Sequence, residues 1–169
     1  IQKKKPPQYS GSRTLQTHST KLIEMLLEQY PRAARVKNSD GYLPLHLSCF
    51  RGAALSEIKL LVKQYPKGVG VRDDNGDLPI HSACLGEASA QVVKFLLDVY
   101  KKSVFHENKD GSTPLDLANG RINVDRKMVG ILKKSSRSWE ILSSSSLKTV
   151  DDYMEDTMRS ISKKRYISL

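Results

Sequence analysis

A repeat of 35 residues is the feature that most constrains what this chain can fold into. Three stretches carry it: "DGYLPLHLSC" at 40–49, "NGDLPIHSAC" at 75–84 and "DGSTPLDLAN" at 110–119. Each copy joins a turn pair to a proline and an apolar residue, followed in the first two copies by a histidine. Similarity at a fixed interval of roughly 20–50 residues indicates a solenoid, in which every unit packs against its neighbours.

Residue types at fixed places in the repeat predict a turn followed by two helices. Gly41, Gly76 and Gly111 supply the positive φ that a tight turn demands. The proline fits the first turn of the next helix, where its missing N–H costs nothing. An apolar stretch follows, "IKLLVKQYP" at 58–66 and "VKFLLDVYK" at 93–101, and its spacing places a broad apolar face on a second helix. Because one unit cannot bury this face alone, neighbouring units must stack to form the core.

These features together resemble the ankyrin-repeat family, whose unit of about 33 residues has a turn, a Thr-Pro-Leu-His-like opening and two helices. The resemblance covers about residues 20–134 and implies an all-α solenoid with short finger turns and a C-terminal helical extension. The predicted segments are a basic arm at 1–19, a half repeat at 20–37, full repeats at 38–72, 73–107 and 108–134, a Ser-rich linker at 135–148 and a C-terminal amphipathic helix with a basic end at 149–169.

The histidine of the opening is expected to be structural. The resemblance implies that His46 and His81 hydrogen-bond the backbone of the finger loops and tie adjacent repeats together. The third copy departs from this pattern, because Asp116 replaces the histidine. The two imidazoles should lie one helix layer apart, on the order of 10 Å, which is too far to share a zinc ion whose Zn–N bonds are ~2.1 Å. We therefore predict no metal site.

The two cysteines are predicted to be core residues. Cys49 and Cys84 occupy equivalent positions of the first helix, where the family usually has alanine. The same layer spacing exceeds the ~4.4–6.8 Å Cα separation that a disulfide tolerates.

The sequence contains neither a Gly-rich phosphate loop nor a paired acid–base constellation. We therefore expect no enzymatic activity and no cofactor.

The resemblance implies that a protein partner is bound by the fingertips and the inner helices. Tyr42, Phe50 and Arg51 support an occupied surface, because aromatic residues and arginine are enriched in interface hot spots. The complete predicted set is Ser39, Asp40, Tyr42, Phe50, Arg51, Asp74, Asn75, Asp77, Leu85, Lys109, Asp110, Ser112 and Arg121.

The positive charge of the chain is concentrated in its ends. The net charge is +10, yet residues 21–120 carry 13 basic and 12 acidic side chains. A basic end suits phosphate backbones, anionic surfaces or an acidic protein. The residues predicted for such contacts are Lys3, Lys4, Lys5, Lys163, Lys164 and Arg165.

The region after residue 134 contains two candidate docking elements. Trp139 is either a docking residue or a cap on the end of the solenoid. Further on, Met154, Met158 and Ile161 continue a stripe that begins at Val150, with helical spacing. This stripe requires a partner surface, either the repeats themselves or another protein.

Three functions are compatible with the sequence. The first is a non-enzymatic binding module or scaffold in a hetero-complex, which recognises a protein through its fingertips and takes no small-molecule substrate. The second is a structural subunit of a large ribonucleoprotein or membrane complex, held by its basic tails. The third is the regulatory region of a larger enzyme. The absence of Asn-X-Ser/Thr sites leads us to expect an intracellular, cytoplasmic protein, or an organelle protein whose targeting peptide has been removed.

Overall fold

The computed structural model describes residues 12–123 and 125–143, and this part of the chain contains helices and no strand. The α-helices are α1 (Ser12–Gln29), α2 (Pro44–Phe50), α3 (Leu55–Gln64), α4 (Pro79–Leu85), α5 (Ala90–Val99), α6 (Pro114–Asn119) and α7 (Arg126–Ser143). Short 3-10 helices follow α1, α3 and α5, at Pro31–Arg35, Pro66–Gly70 and Lys101–Phe105.

The helices stack as successive pairs. Helices α2 and α3 form the first full repeat, α4 and α5 the second, and α6 and α7 the third, while α1 is the single helix of a half repeat. The first helices of the pairs pack on one another, α2 on α4 and α4 on α6, and α1 packs on α3 and α5 on α7. This arrangement confirms the all-α solenoid predicted from the repeat.

The core of the solenoid consists of equivalent positions from successive repeats. Ile58, Val93 and Met128 hold the same place in the second helix of each pair, and each is at most 1% exposed. Leu45 and Ile80 do the same in the first helix and are also buried. The apolar face of every unit is therefore covered by the next unit, as nearest-neighbour stacking requires.

Two predicted boundaries are wrong. Helix α1 begins at Ser12, so residues 12–19 are helical and do not belong to a basic arm. Helix α7 continues to Ser143, so residues 135–143 are helical and are not a linker. Serine costs little in a helix interior, and Ser138 Oγ donates to the Lys134 carbonyl at 2.9 Å. Once α7 is anchored in the core, each further residue adds a backbone hydrogen bond without a new nucleation step.

Several predicted features lie outside the described residues. These are the basic residues Lys3, Lys4, Lys5, Lys163, Lys164 and Arg165, and the stripe residues Met154, Met158 and Ile161. Trp139 belongs to α7, and its side chain is also outside the described part. Within the part that the structure describes, no helix has the length and apolar character needed to cross a membrane.

Two finger glycines share one backbone conformation but differ in their surroundings. Gly41 has φ +76° and Gly111 has φ +75°. A Cβ on Gly41 would lie 2.4 Å from Asp74 Oδ1 and 2.8 Å from the Asp74 backbone nitrogen, because the second finger packs against the first. A Cβ on Gly111 would meet nothing within 4 Å.

We predict that Gly41→Ala lowers the free energy of unfolding more than Gly111→Ala does. Both substitutions carry the left-handed backbone cost of about 1–2 kcal/mol, and only Gly41→Ala adds overpacking, typically about 1–3 kcal/mol. Urea unfolding followed by circular dichroism measures the difference. Equal losses of unfolding free energy would mean that the first and second fingers can move apart to accommodate the added methyl group without a loss of stability.

Candidate protein-binding surface

Two buried imidazoles connect each repeat to the following finger loop. His46 Nδ1 accepts from the Leu43 N–H at 3.1 Å, and its Nε2 donates to the Asp77 carbonyl at 3.1 Å. His81 accepts from the Leu78 N–H at 3.0 Å and donates to the His106 carbonyl at 2.8 Å. Since Nδ1 accepts in both cases, the proton of the neutral ring resides on Nε2. Each histidine thus caps its own helix and holds the next repeat.

The environment of these two histidines is that of structural residues and not of residues that transfer protons. Both side chains are fully buried, and desolvation lowers the pKa of His46 and the pKa of His81 below the ordinary value. Both rings are therefore neutral at physiological pH, and neither contacts a second ionisable side chain at hydrogen-bond distance. Among the residues that the structure describes, no three His, Cys, Asp or Glu side chains are placed to hold a metal ion.

The last repeat has a cap without the inter-repeat bond. Asp116 Oδ2 accepts from the Thr113 N–H at 3.0 Å and from Thr113 Oγ1 at 2.5 Å. The hydrogen bond from the Thr113 side chain lowers the pKa of Asp116. Asp116 is exposed, and among the described residues its side-chain bonds are to Thr113 of its own repeat. Asp116 therefore retains one of the two roles of the histidine, which is to cap its own helix.

The finger loops are held rigid by one side chain each. Asn38, Asp73 and Asn108 hold equivalent positions, and the Oδ1 of each accepts the N–H groups two and four residues further on, at 2.8–3.1 Å. Backbone bonds then join finger to finger, from the Asp74 N–H to Asp40 and from the Lys109 N–H to Asn75. These bonds consequently hold the finger loops in one conformation.

Most of the predicted partner-binding residues are accessible to solvent. The exposed ones are Ser39, Asp40, Phe50, Arg51, Asp74, Asn75, Leu85, Lys109 and Asp110. Tyr42, Ser112 and Arg121 are partly buried. The Tyr42 hydroxyl accepts from Asn75 Nδ2 at 3.3 Å, so this ring is fixed between two fingers with one edge open.

Asp77 does not fit its predicted role as a partner contact. Its side chain is 6% exposed, and its Oδ1 accepts from Asn108 Nδ2 at 2.9 Å. Burial raises the pKa of this carboxyl. Asp77 therefore joins the second finger to the third. The sequence position alone could not show this, because the equivalent residues Tyr42 and Ser112 are more accessible.

Three apolar side chains are exposed on the first helices of the repeats. Phe50 is 52% exposed, Leu85 43% and Leu47 37%. Phe50 and Leu85 occupy equivalent positions of α2 and α4, and the ends of these helices meet closely, since a Cβ on Gly86 would lie 2.0 Å from the Phe50 carbonyl oxygen. Leu47 was missed from the sequence. Its signal is the i, i+3 spacing to Phe50, which places both on one face of α2.

The tips of the first two fingers carry negative charge, whereas the exposed residue that directly follows Phe50 is the basic Arg51. Asp40 and Asp74 are exposed at these tips, and the third finger carries the exposed basic residue Lys109. We define the inner surface as Leu47, Phe50 and Leu85 together with the tips Asp40 and Asp74. It combines an apolar centre with an acidic edge.

The cysteines contribute nothing to this surface. Both are free thiols with no exposed area. Burial raises the pKa of Cys84 to about 12, and burial also raises the pKa of Cys49 well above its ordinary value. Because the thiolate is the reactive form, neither residue can act as a nucleophile at physiological pH.

Comparison with known families agrees with this architecture. The family model for ankyrin repeats (three copies) matches residues 14–104, which is more than half of the chain. The chain belongs to the ankyrin-repeat family. Ankyrin repeats are generally protein–protein interaction modules and are typically non-enzymatic. Among curated proteins, none matches this ankyrin-repeat chain in sequence.

We predict that His81→Asn lowers the free energy of unfolding at pH 7.5 and weakens its dependence on pH. The partly buried His106 carbonyl loses its donor, a cost of about 1–3 kcal/mol. In the wild type the folded pKa of His81 lies below the unfolded value, so stability is complete above about pH 6.5 and is lost as the pH falls through the folded pKa. Urea titrations at pH 7.5 and pH 5 test both effects.

The control is Asp116→Asn, the equivalent position in the last repeat. This exposed residue makes no bond to another repeat, so its replacement should cost about 1 kcal/mol or less. A His81→Asn variant no less stable than Asp116→Asn would show that the inter-repeat bond contributes little.

Proposed function

We propose that this ankyrin-repeat protein is a binding module that captures a protein segment on its inner surface, and that the segment carries an apolar centre and a basic flank. The observation that carries the proposal is the exposure of Phe50 beside Leu47 and Leu85 on rigidly stacked helices. The tips of the first two fingers carry the acids Asp40 and Asp74, and a backbone hydrogen bond joins these two residues.

The apolar centre supports a protein ligand. Phe50 and Leu47 lie one helical turn apart, and Leu85 follows at the equivalent place on the next repeat. Fully burying a side chain of this size contributes about 1.5–3 kcal/mol, so covering the half-exposed ring of Phe50 would contribute about half of that. Large side chains of this kind in a desolvated centre are typical hot spots.

The acidic edge supports a basic flank on the partner. Asp40 and Asp74 stand on adjacent fingers, joined by the bond from the Asp74 N–H to the Asp40 carbonyl. Complementary charge at the rim of an interface raises the association rate and suppresses partners of the wrong sign. The same two carboxylates disfavour a nucleic acid on this surface, because its phosphate backbone would be repelled.

We predict that the double substitution Phe50→Ala and Arg51→Ala reduces capture of the partner in a native co-purification followed by mass spectrometry. Losing the contribution of the covered part of Phe50 should cost about 0.8–1.5 kcal/mol of binding free energy, equivalent to a loss of affinity of about four- to twelve-fold. The melting temperature should stay unchanged, because both side chains are exposed.

The matched control is Phe105→Ala. This phenylalanine is 39% exposed in the third 3-10 helix and lies off the inner surface. Proteins retained by Phe105→Ala and lost from the double variant are partners of the inner surface. Equal recovery with both variants would place the interface elsewhere.

A further inference from the structure

A groove lies between α5 and α7, outside the inner surface. Its volume is about 380 Å³, and its floor contains Leu97 and Ile131. Leu97 is buried in the core, whereas Ile131 is partly accessible. The groove therefore offers an apolar floor between two second helices, on the outer side of the repeats.

The rim of this groove is basic. Lys94, Lys101 and Lys134 line it, and all three are exposed. Asp98 is the one acid in the lining, and it pairs with Lys94 at 2.7 Å. Lys101 and Lys134 therefore leave an excess of positive charge over the apolar floor.

The chain itself contains a segment of complementary character. Residues 150–158 read "VDDYMEDTM", with four acids and no basic residue. At helical spacing Val150, Met154 and Met158 fall on one stripe, and Asp151 and Glu155 follow the first two by one position, beside that stripe. Methionine adapts to irregular apolar grooves. The segment thus matches an apolar floor with a basic rim.

The covalent connection is long enough for the segment to reach the groove. Lys134 lies about 14 Å from Ser143 along α7, at 1.5 Å per residue. The seven residues from 144 to 150 can span up to roughly 25 Å. A return of the chain alongside α7 is consequently allowed by covalent geometry.

We propose that residues 150–158 occupy the groove between α5 and α7 of their own molecule. Met154 and Met158 contact Leu97 and Ile131, and the acids pair with Lys101 and Lys134. A second apolar surface, formed by Leu22, Met25 and Leu26 on α1, is less suited to this segment, because Lys21 pairs with Glu24 at 3.5 Å and Glu28 leaves an acid on the same helix. The choice between the two surfaces is made by charge.

Oxidation of the four methionines by hydrogen peroxide tests the proposal in the full chain. Met25 is 52% exposed and Met128 is 1% exposed, so they calibrate fast and slow reaction within the same molecule. We expect Met154 and Met158 to react at a rate near that of Met128, and several-fold faster in the variant Lys101→Glu with Lys134→Glu. The variant Lys63→Glu with Lys67→Glu makes the same charge change at exposed positions away from the groove and should leave both rates unchanged.

Carbodiimide crosslinking of the same samples identifies the site. A bond from Lys101 or Lys134 to an acid within residues 151–156, found in the monomer fraction, supports the proposal. Oxidation of Met154 and Met158 at the rate of Met25 would overturn it. Three other outcomes would also overturn it. Protection of Met154 and Met158 together with Met25 would point to α1, and protection found only in crosslinked dimers would point to a second copy. Protection that persists in the Lys101→Glu and Lys134→Glu variant would point to an uncharged contact.

Discussion

The hydrogen bond from a buried imidazole to the carbonyl of the next finger is the interaction that gives this solenoid its register. His46 and His81 each complete it while capping their own helix. Apolar stacking alone is non-directional and would allow neighbouring repeats to slide. A directional bond from a buried imidazole fixes each finger relative to the preceding helix, and leaving the acceptor carbonyl without its donor would be costly. The positions of the fingertips follow from this bond.

The outermost described units of the solenoid differ from the units between them. In the third repeat Asp116 stands at the position of the histidine and makes the capping contact. The partner helix of this repeat, α7, is extended to 18 residues. At the other end α1 leaves Leu22, Met25 and Leu26 half exposed, as expected of a helix whose apolar stripe would face a preceding repeat.

The sequence predicts those parts of the structure that recur from repeat to repeat. The interval of 35 residues located the turn glycines, the helix pairs and the buried cysteines, because each depends on a local pattern repeated in equivalent surroundings. Predictions failed where equivalent positions of different repeats have different surroundings. Asp77 resembles a fingertip residue but lies under Asn108, and the serines of α7 resemble a linker but continue a helix anchored by Met128 and Leu132. Neither packing partner is visible in a single repeat.

The repeats are nearly neutral overall, but in the fold some of their negative and positive side chains lie on different surfaces. The acids Asp40 and Asp74 collect on the fingertips, and the lysines Lys101 and Lys134 collect around the groove on the second helices. The two surfaces lie on different helix layers, and adjacent layers are about 8–10 Å apart. The Debye length at physiological ionic strength is about 8 Å, so each surface is largely screened from the other. A chain with almost no net charge in its repeats can therefore present one surface for a basic ligand and another for an acidic one.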